Sequence, residues 1–230
     1  MKILNFFPLS ILQDQINLSD EKKNSLISEA RNMKNDSQNT KYKQDNASWT
    51  GDTQGHEFIH KNPKFDEFFL ELKKKVYLYL DFLKIDKNQI EPFLQRSWVT
   101  ISVGKEAISE HKHLQSHLSF AYYLKKDTED SNFVLYDEAY RNEFIPGLFN
   151  SKTLMEKKVV KEMSISTATR INVAVKENDI ILFPSKTLHS TQPNKSNIER
   201  ISISGDITFL GKETNLLEHL IPNYENWKKL

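Results

Sequence analysis

A change of period to two near residue 93 constrains the fold of this chain more than any other feature. From there on, short segments alternate apolar and polar residues or run apolar, as β-strands do: 93–103, 119–125, 132–138, 158–165, 170–175, 179–184 and 199–210. No strong helical pattern separates these segments, and parallel strands need a crossover of a dozen or more residues, usually a helix. The sequence therefore predicts a mostly antiparallel sheet, arranged as a barrel or a sandwich.

Two helices are expected ahead of the strands. Ser19 is a candidate N-cap for a helix that continues to about Met33. The segment 62–83 opens with Pro63 and carries apolar residues at helical spacing: Phe65, Phe68, Phe69, Leu72, Val76, Tyr79, Leu80 and Leu83. This stripe needs a buried partner, and the apolar faces of the strands provide one. A shorter helix, interrupted by Pro222, is expected within 213–230.

Length and composition favour one domain, since 230 residues suffice for a single substantial core. We divide it into a helical support region (1–92), a strand-rich core (93–210) and a helical tail (211–230). The net charge of +1 provides no field to attract nucleic acid or anionic lipid. The first dozen residues lack a signal-peptide cleavage pattern and are too short to cross a bilayer. We expect a soluble, cytoplasmic protein with no nucleic-acid or membrane partner. The sequence makes no prediction of its oligomeric state.

The alternation sorts the side chains onto two faces. Within 199–210, one face carries Ile201, Ile203, Ile207 and Phe209, and the other carries Arg200, Ser202, Ser204, Asp206 and Thr208. Within 118–124, the polar face carries Ser119, Ala121 and Tyr123. Small polar faces are compatible with open solvent. An arginine and a tyrosine among the small residues favour instead a wet pocket for an anionic ligand.

Three of the seven histidines fall within 111–117, just before a predicted strand. In an extended segment, His111 and His113 lie on one face and can share a metal. Both are an even number of residues from Tyr123, so in one continuous strand they would face the pocket with it. A bulge or loop at 114–117 would cancel this inference. His189 follows a distant apolar strand and completes a facial triad of ligands. Because the chain has no cysteine, nitrogen and oxygen must hold any metal. Two exposed strand histidines are the alternative.

Arg200 follows His189 on the next predicted strand, with Ser202 on the same face. An arginine can bind a carboxylate through two parallel hydrogen bonds, and a Ser or Tyr hydroxyl can add a third. The alternative is an exposed strand arginine that pairs with a neighbouring acid.

These features, in this order, resemble the 2-oxoglutarate/Fe(II)-dependent oxygenases, closest to small bacterial and phage members related to prolyl hydroxylases. The resemblance rests on the H-x-H pair and on four further stretches: LSFAYYL (118–124), VLYDE (134–138), IILFPSKTLHSTQPN (180–194) and RISIS (200–204). It covers about residues 93–209. The N-terminal part of those proteins is similar to three further segments here: ILNFFPLSI (3–11), NASWTG (46–51) and the long helix. It implies a double-stranded β-helix, a jelly-roll barrel with helices along one side.

The resemblance also implies a site and a reaction. The iron ligands would be His111, His113 and His189, and the remote carboxylate of 2-oxoglutarate would be bound by Arg200, Ser202 and Tyr123. No catalytic residue is implied beyond the metal ligands. The implied reaction hydroxylates a substrate C–H bond and converts 2-oxoglutarate into succinate and carbon dioxide. A small molecule, or a peptide or amino acid side chain, is the substrate by analogy alone.

Several positions depart from the family pattern. His113 stands where the superfamily has a carboxylate ligand, so three neutral imidazoles would hold the iron. Leu114 replaces a proline, and Phe120 replaces a glycine and could alter the pocket. Asparagines of the family are replaced by Thr100 and Ser102.

Two other readings of the barrel stay open. His117 lies near where metal-binding cupins have a glutamate, and Asn194 belongs to a faint second cupin motif. A cupin-type metal enzyme without 2-oxoglutarate is thus one alternative, and a catalytically silent jelly roll that binds a sugar or peptide is another. Arg200 with Tyr123 favours the oxygenase. Further pocket candidates are His117, Thr100, Ser102 and Asn194, and the insertion at 138–168 is expected to form a lid.

Overall fold

The computed structural model describes residues 1–38, 48–49, 56–126, 131–212 and 219–230. Its helices are α1 (Asp20–Gln38), α2 (Asp66–Phe82) and the short α3 (Lys152–Glu156). Its strands are β1 (Leu12–Gln15), β2 (Ser48–Trp49), β3 (Ile90–Ser102), β4 (Leu118–Lys125), β5 (Phe133–Tyr136), β6 (Arg170–Val173), β7 (Asp179–Pro184), β8 (His189–Thr191), β9 (Arg200–Gly211) and β10 (Ile221–Pro222). None of these helices is long and apolar enough to cross a membrane.

The strands form two sheets. The larger has seven strands, in the order β1-β7-β4-β9-β3-β2, with β10 beside β9. The smaller has three, in the order β6-β5-β8. The pairings are antiparallel except for β10 with β9, so the described chain is mainly β and mostly antiparallel, as predicted.

One face of the larger sheet is covered by the helices. The Phe68 ring of α2 lies 4.9 Å from the ring of Tyr122 and 6.1 Å from that of Phe120, both on β4. The Tyr122 hydroxyl donates to the carbonyl of Ile16 at 3.1 Å. Full burial of one such aromatic side chain contributes about 1.5–3 kcal/mol. The aromatic stripe of α2 therefore lies on the apolar face of the sheet, where β9 contributes Ile203 to the same core.

The opposite face of the larger sheet is covered by the smaller sheet. Phe133 of β5 and Phe183 of β7 lie with ring centroids 5.0 Å apart, and Tyr123 belongs to the same cluster. Strand register brings the small polar faces into line, because Tyr123 and Thr100 both pair with Ser202. The space between the two sheets is therefore lined by the polar faces recognised in the sequence.

Several elements differ from the sequence-based prediction. Residues 158–165 form no strand, since none of the described strands pairs with them, and Val159 and Ile165 are exposed. The short strands β1 and β8 were not predicted. The expected C-terminal helix is wrong for 219–230, which hold β10 and a 3₁₀ turn at Tyr224–Asn226, while 213–218 lie outside the described residues.

Two predictions concern the N-terminal region, the helix that begins at Ser19 and the segment NASWTG. Ser19 does cap α1, since its Oγ accepts from the amide of Lys22 at 3.2 Å, and the helix runs beyond Met33. Of NASWTG, only Ser48 and Trp49 are described, as the strand that pairs with β3. The other residues of 46–51 lie outside the described part of the chain.

Candidate metal centre and carboxylate pocket

His111, His113 and His189 come together at one end of the space between the sheets. One ligand atom from each lies within 4.8 Å of the others, so the three nitrogens surround a common point. The ring centroids of His111 and His189 are 4.2 Å apart, and that of His113 lies 5.0 Å from His111 and 5.2 Å from His189. Three nitrogens in this arrangement suit a divalent transition metal and leave further coordination positions open.

Backbone pairing between two distant segments produces this arrangement. His111 and His189 form an isolated antiparallel bridge, and the His113 amide donates to the Ser185 carbonyl at 3.0 Å. Residues 114–117 form a turn ahead of β4. Because that turn interrupts the strand, alternation counted back from Tyr123 does not determine which way His111 and His113 point. Their backbone pairing with 185–189 orients the two rings instead.

Each ring has its Nδ1 engaged, which leaves Nε2 for a metal. Nδ1 of His111 lies 2.8 Å from the Ser109 carbonyl, and Nδ1 of His189 lies 2.9 Å from the Thr187 carbonyl. A carbonyl oxygen only accepts, so both Nδ1 atoms carry the proton and both Nε2 atoms present a lone pair. Nδ1 of His113 lies 2.5 Å from Oδ1 of Asp206. Such partners orient metal-binding imidazoles.

Burial keeps two of the rings neutral. Burial lowers the pKa of His111. Burial, reinforced by the neighbouring ring of His111, lowers the pKa of His189 to about 3. Neutral imidazole is the form that binds a metal, so the pair is ready to bind at neutral pH.

Asp206 is a further candidate site residue, to which the sequence-based prediction gave no role. Its side chain is fully buried behind His113 and also accepts from the Ser119 hydroxyl at 2.8 Å. The sequence did carry a signal for it: Asp206 shares the polar face of the strand with Arg200 and Ser202, which is the face toward the pocket.

Arg200 lies deeper in the same space and is almost completely buried. Its Nη1 donates to the Ser131 hydroxyl at 2.5 Å, and its Nη2 donates to the Thr191 hydroxyl at 3.3 Å. Both of these partners are neutral. Burial lowers the pKa of Arg200, but a guanidinium stays charged at neutral pH. A buried cation with neutral partners is suited to an anionic ligand.

Two buried hydroxyls near Arg200 have no hydrogen-bond partner among the described residues. They are the Tyr123 hydroxyl and the Ser102 Oγ. Burial raises the pKa of Tyr123 to about 12, so the phenol keeps its proton and can donate. Unpaired buried hydroxyls are costly and call for a partner. The donor set therefore fits a carboxylate beside Arg200, as the carboxyl group of 2-oxoglutarate would require.

The metal centre and the arginine belong to one cavity. Its lining includes all three histidines together with Tyr123, Arg200 and Ser202, and Thr100 and Phe120 also line it. The site thus presents a three-nitrogen centre and a buried cation to the same ligand.

Two of the weaker candidates lie elsewhere. His117 is exposed, and its Nδ1 accepts from the Phe209 amide at 3.0 Å. Asn194 is buried, and its side-chain amide donates to the carbonyls of Ser102 at 3.2 Å and Ile198 at 2.8 Å. Neither is among the lining residues, and Asn194 connects the end of β3 to the residues before β9. Ser102 does not line the cavity either, whereas Thr100 does.

Comparison with known proteins agrees with this geometry. Residues 96–206 match the family model described as "Putative 2OG-Fe(II) oxygenase". This range includes the three histidines, Tyr123, Arg200 and Ser202. No curated protein matches the chain by sequence.

Solved structures share the fold at low sequence identity. HygX from Streptomyces hygroscopicus, with nickel, 2-oxoglutarate and hygromycin B bound, is 12% identical over 87% of this chain and 83% of its own, with a TM-score of 0.54. A Pseudomonas putida prolyl-4-hydroxylase is 12% identical over 90% of this chain and 88% of its own, with a TM-score of 0.50. The collagen prolyl hydroxylase of Paramecium Bursaria Chlorella virus-1 is 14% identical over 86% and 94%, also with a TM-score of 0.50.

The expected family is thus confirmed by a sequence match that spans the cavity and by a fold shared with oxygenases. Over residues 96–206 the chain matches the 2-oxoglutarate/Fe(II)-dependent oxygenases, and it shares its fold with prolyl hydroxylases.

Proposed function

We propose that this enzyme uses dioxygen to hydroxylate a C–H bond of a peptide or an amino acid side chain, while 2-oxoglutarate is oxidised to succinate and carbon dioxide. The observation that carries the proposal is a three-histidine centre that shares one cavity with a buried arginine and a buried tyrosine hydroxyl, which no described residue pairs. A metal site alone would need no such anchor for a carboxylate.

The histidines act as the metal ligands in this proposal. Nε2 of His111, His113 and His189 would contact the ion, while their Nδ1 partners hold each ring in its orientation. Bound Fe(II) would activate dioxygen, the oxidant: 2-oxoglutarate and the substrate C–H bond each give two electrons, and one oxygen atom enters succinate and the other the new hydroxyl. The low pKa of His189 keeps a proton from competing with the ion at neutral pH.

The second group of residues would seat 2-oxoglutarate. Arg200 provides the positive charge, and the Tyr123 hydroxyl donates to the same carboxylate. Ser202 pairs with Tyr123 across the sheet and lines the same cavity, so its hydroxyl adds a third contact. The guanidinium is already held by Ser131 and Thr191, so little side-chain entropy is lost on binding.

The placement of His117 argues against the cupin alternative. A four-histidine site needs this ring at the metal, but its Nδ1 accepts from the Phe209 amide and the side chain is exposed. The silent jelly-roll alternative predicts no metal binding at all, so it is separated from both enzymes by a metal titration.

Absorption spectroscopy without oxygen tests the proposal. Fe(II) and then 2-oxoglutarate are added to metal-free protein, and the visible metal-to-ligand charge-transfer band of a chelated 2-oxo acid is expected. The band should be lost in His189→Ala and retained in the matched control His117→Ala. In Arg200→Ala, half-saturation should require at least about tenfold more 2-oxoglutarate, because a charged hydrogen bond contributes about 1.5–3 kcal/mol.

The outcomes separate the readings. A wild-type protein that binds metal but stays colourless with saturating 2-oxoglutarate supports the cupin reading. A wild-type protein that binds no metal supports the silent jelly roll. Loss of the band in His117→Ala would show that the ligand set is assigned incorrectly.

A further inference from the structure

We infer that Asp206 acts through His113 as the anionic component of the metal centre, a positioning residue that offsets the charge of an ion held by three neutral imidazoles. This inference rests on the metal site of the proposed function. It concerns a residue that touches neither the ion nor the substrate, because Asp206 is not among the residues that line the cavity.

The carboxylate is held on both oxygens and aimed at one ring. Oδ1 lies 2.5 Å from Nδ1 of His113 and accepts from the Ser119 hydroxyl at 2.8 Å. Oδ2 accepts from the side-chain amide of Gln115 at 3.3 Å. Ser119 is itself 2.8 Å from the Ser185 hydroxyl, so several elements hold the arrangement together.

Charge explains why a carboxylate belongs at this position. A divalent ion bound by three uncharged nitrogens brings two positive charges into a buried site, and buried charge is costly without a counter-charge. Asp206 is fully buried against Nδ1 of His113, so the imidazole would stand between the carboxylate and an ion bound at Nε2. A carboxylate that accepts from Nδ1–H makes Nε2 more basic and a stronger ligand. His113 thereby transmits the negative charge of Asp206 to the metal.

A purely structural role is the competing explanation. The hydrogen bonds of Asp206 to Gln115 and Ser119 connect the turn at 114–117 to β9, and this connection would stabilise the fold without any metal. The two roles differ in one respect. A structural carboxylate changes stability, whereas an electronic partner of His113 changes the properties of the bound ion.

Asp206→Asn separates the two roles, because it retains the shape and one acceptor and removes the charge. We expect this variant to bind Co(II) about 10–100-fold more weakly in anaerobic titrations. We expect the charge-transfer band of its Fe(II)–2-oxoglutarate complex to move to shorter wavelength, since less negative charge stabilises the metal electrons. The control Ser119→Ala removes a hydrogen bond and retains the charge, so the band should stay in place. An unmoved band and unchanged Co(II) affinity in Asp206→Asn overturn the inference.

A double-mutant cycle gives an independent test. His113→Asp places a second carboxylate beside Asp206, and two buried carboxylates in contact repel one another. We expect His113→Asp to bind Co(II) more weakly than wild type and the addition of Asp206→Asn to restore part of the affinity. If Asp206→Asn lowers the affinity equally in both backgrounds, the inference is wrong.

The remaining outcomes are also informative. If Asp206→Asn does not fold, His113→Asp alone tests the inference. Weaker Co(II) binding than in the wild type would support the inference, and tighter binding would overturn it. A wild-type protein that binds neither Co(II) nor Fe(II) overturns the proposed function and this inference together. Normal wild-type binding with an unaffected Asp206→Asn overturns the inference alone.

Discussion

His111 and His189 exchange two backbone hydrogen bonds, with N–O distances of 3.0 and 3.1 Å, and hold their rings with centroids 4.2 Å apart. This bridge joins the segment before β4 to the first residue of β8. A shift of one residue in the pairing would turn one ring to the other face. The metal centre therefore depends on backbone register as much as on the presence of three histidines.

Removal of the Tyr123 hydroxyl should separate binding from stability. The hydroxyl is buried and has no partner among the described residues, so Tyr123→Phe should leave the metal-free protein as stable or more stable. The affinity for 2-oxoglutarate should fall about tenfold, because a hydrogen bond to a charged group contributes about 1.5–3 kcal/mol. Titration of the charge-transfer band and thermal unfolding measure the two effects.

Tyr122→Phe is the matched control for this prediction. The Tyr122 hydroxyl donates to the Ile16 carbonyl on the helix side of the sheet, away from the cavity. Its loss should lower stability by about 1 kcal/mol and leave the 2-oxoglutarate affinity unchanged. An unchanged affinity in Tyr123→Phe would remove this hydroxyl from the binding site.

The metal-free protein should lose stability as the pH falls below about 6.5, the usual pKa of an unfolded histidine. Burial lowers the pKa of His189 to about 3 in the folded state. Between these two values the unfolded chain binds the extra proton, so a lower pH favours unfolding. For one such group, the free energy of unfolding falls by up to about 1.4 kcal/mol per pH unit. Each kcal/mol lowers the thermal unfolding midpoint by roughly 2–4 °C.

Thermal unfolding in chelator between pH 7.5 and pH 5.0 measures this dependence on pH. His189→Gln should flatten it, whereas substitution of the exposed His219 by Gln should leave it as in the wild type. Equal slopes in wild type and His189→Gln would contradict the prediction.

Gly205→Ala should destabilise the fold. Gly205 pairs with Phe120, and a Cβ at position 205 would lie 2.6 Å from the Arg96 carbonyl oxygen and 2.7 Å from Cε1 of Phe120. One of these atoms is backbone, so the contact is relieved only by movement of a strand. Overpacking of this kind costs about 1–3 kcal/mol. Chemical denaturation measures the loss, and an unchanged midpoint would contradict the prediction. The missing side chain of Gly205 thus accommodates the ring of Phe120.

The segment 138–168 is expected to act as a lid over the substrate. Glu138 at its start pairs at 2.6 Å with Lys112, which lies between His111 and His113 in the sequence. Within it, the apolar side chain of Phe144 is 81% exposed. Deletion of residues 141–156 should retain the charge-transfer band and abolish the stimulation of succinate release by a panel of proline-containing peptides. Phe144→Ser should weaken that stimulation without loss of stability. Stimulation that survives the deletion would rule out the lid.

Much of the fold was predictable because strand alternation is a local property. The polar face of β9, with Arg200 and Ser202, follows from a period of two and lines the cavity as expected. The three residues of β8 are too few to show a period, so this strand was missed. Residues 158–165 do show alternation, but they form no strand because strand formation also requires a partner.

The candidate site was predictable in its residues more than in its geometry. The H-x-H pair, His189 and Arg200 were recognisable from type and order. The parity argument that placed His111 and His113 toward the pocket fails at the turn 114–117, although the histidines reach the site through another pairing.

The sequence by itself determined which side chains share a face and which residue types are present to bind a metal and a carboxylate, because both depend on the local chain. Only the tertiary structure decided that His111 lies beside His189 and that Asp206 lies behind His113. These contacts join segments far apart in sequence, and their register is set by hydrogen bonds and packing between strands. The alternation within either segment does not specify the partner.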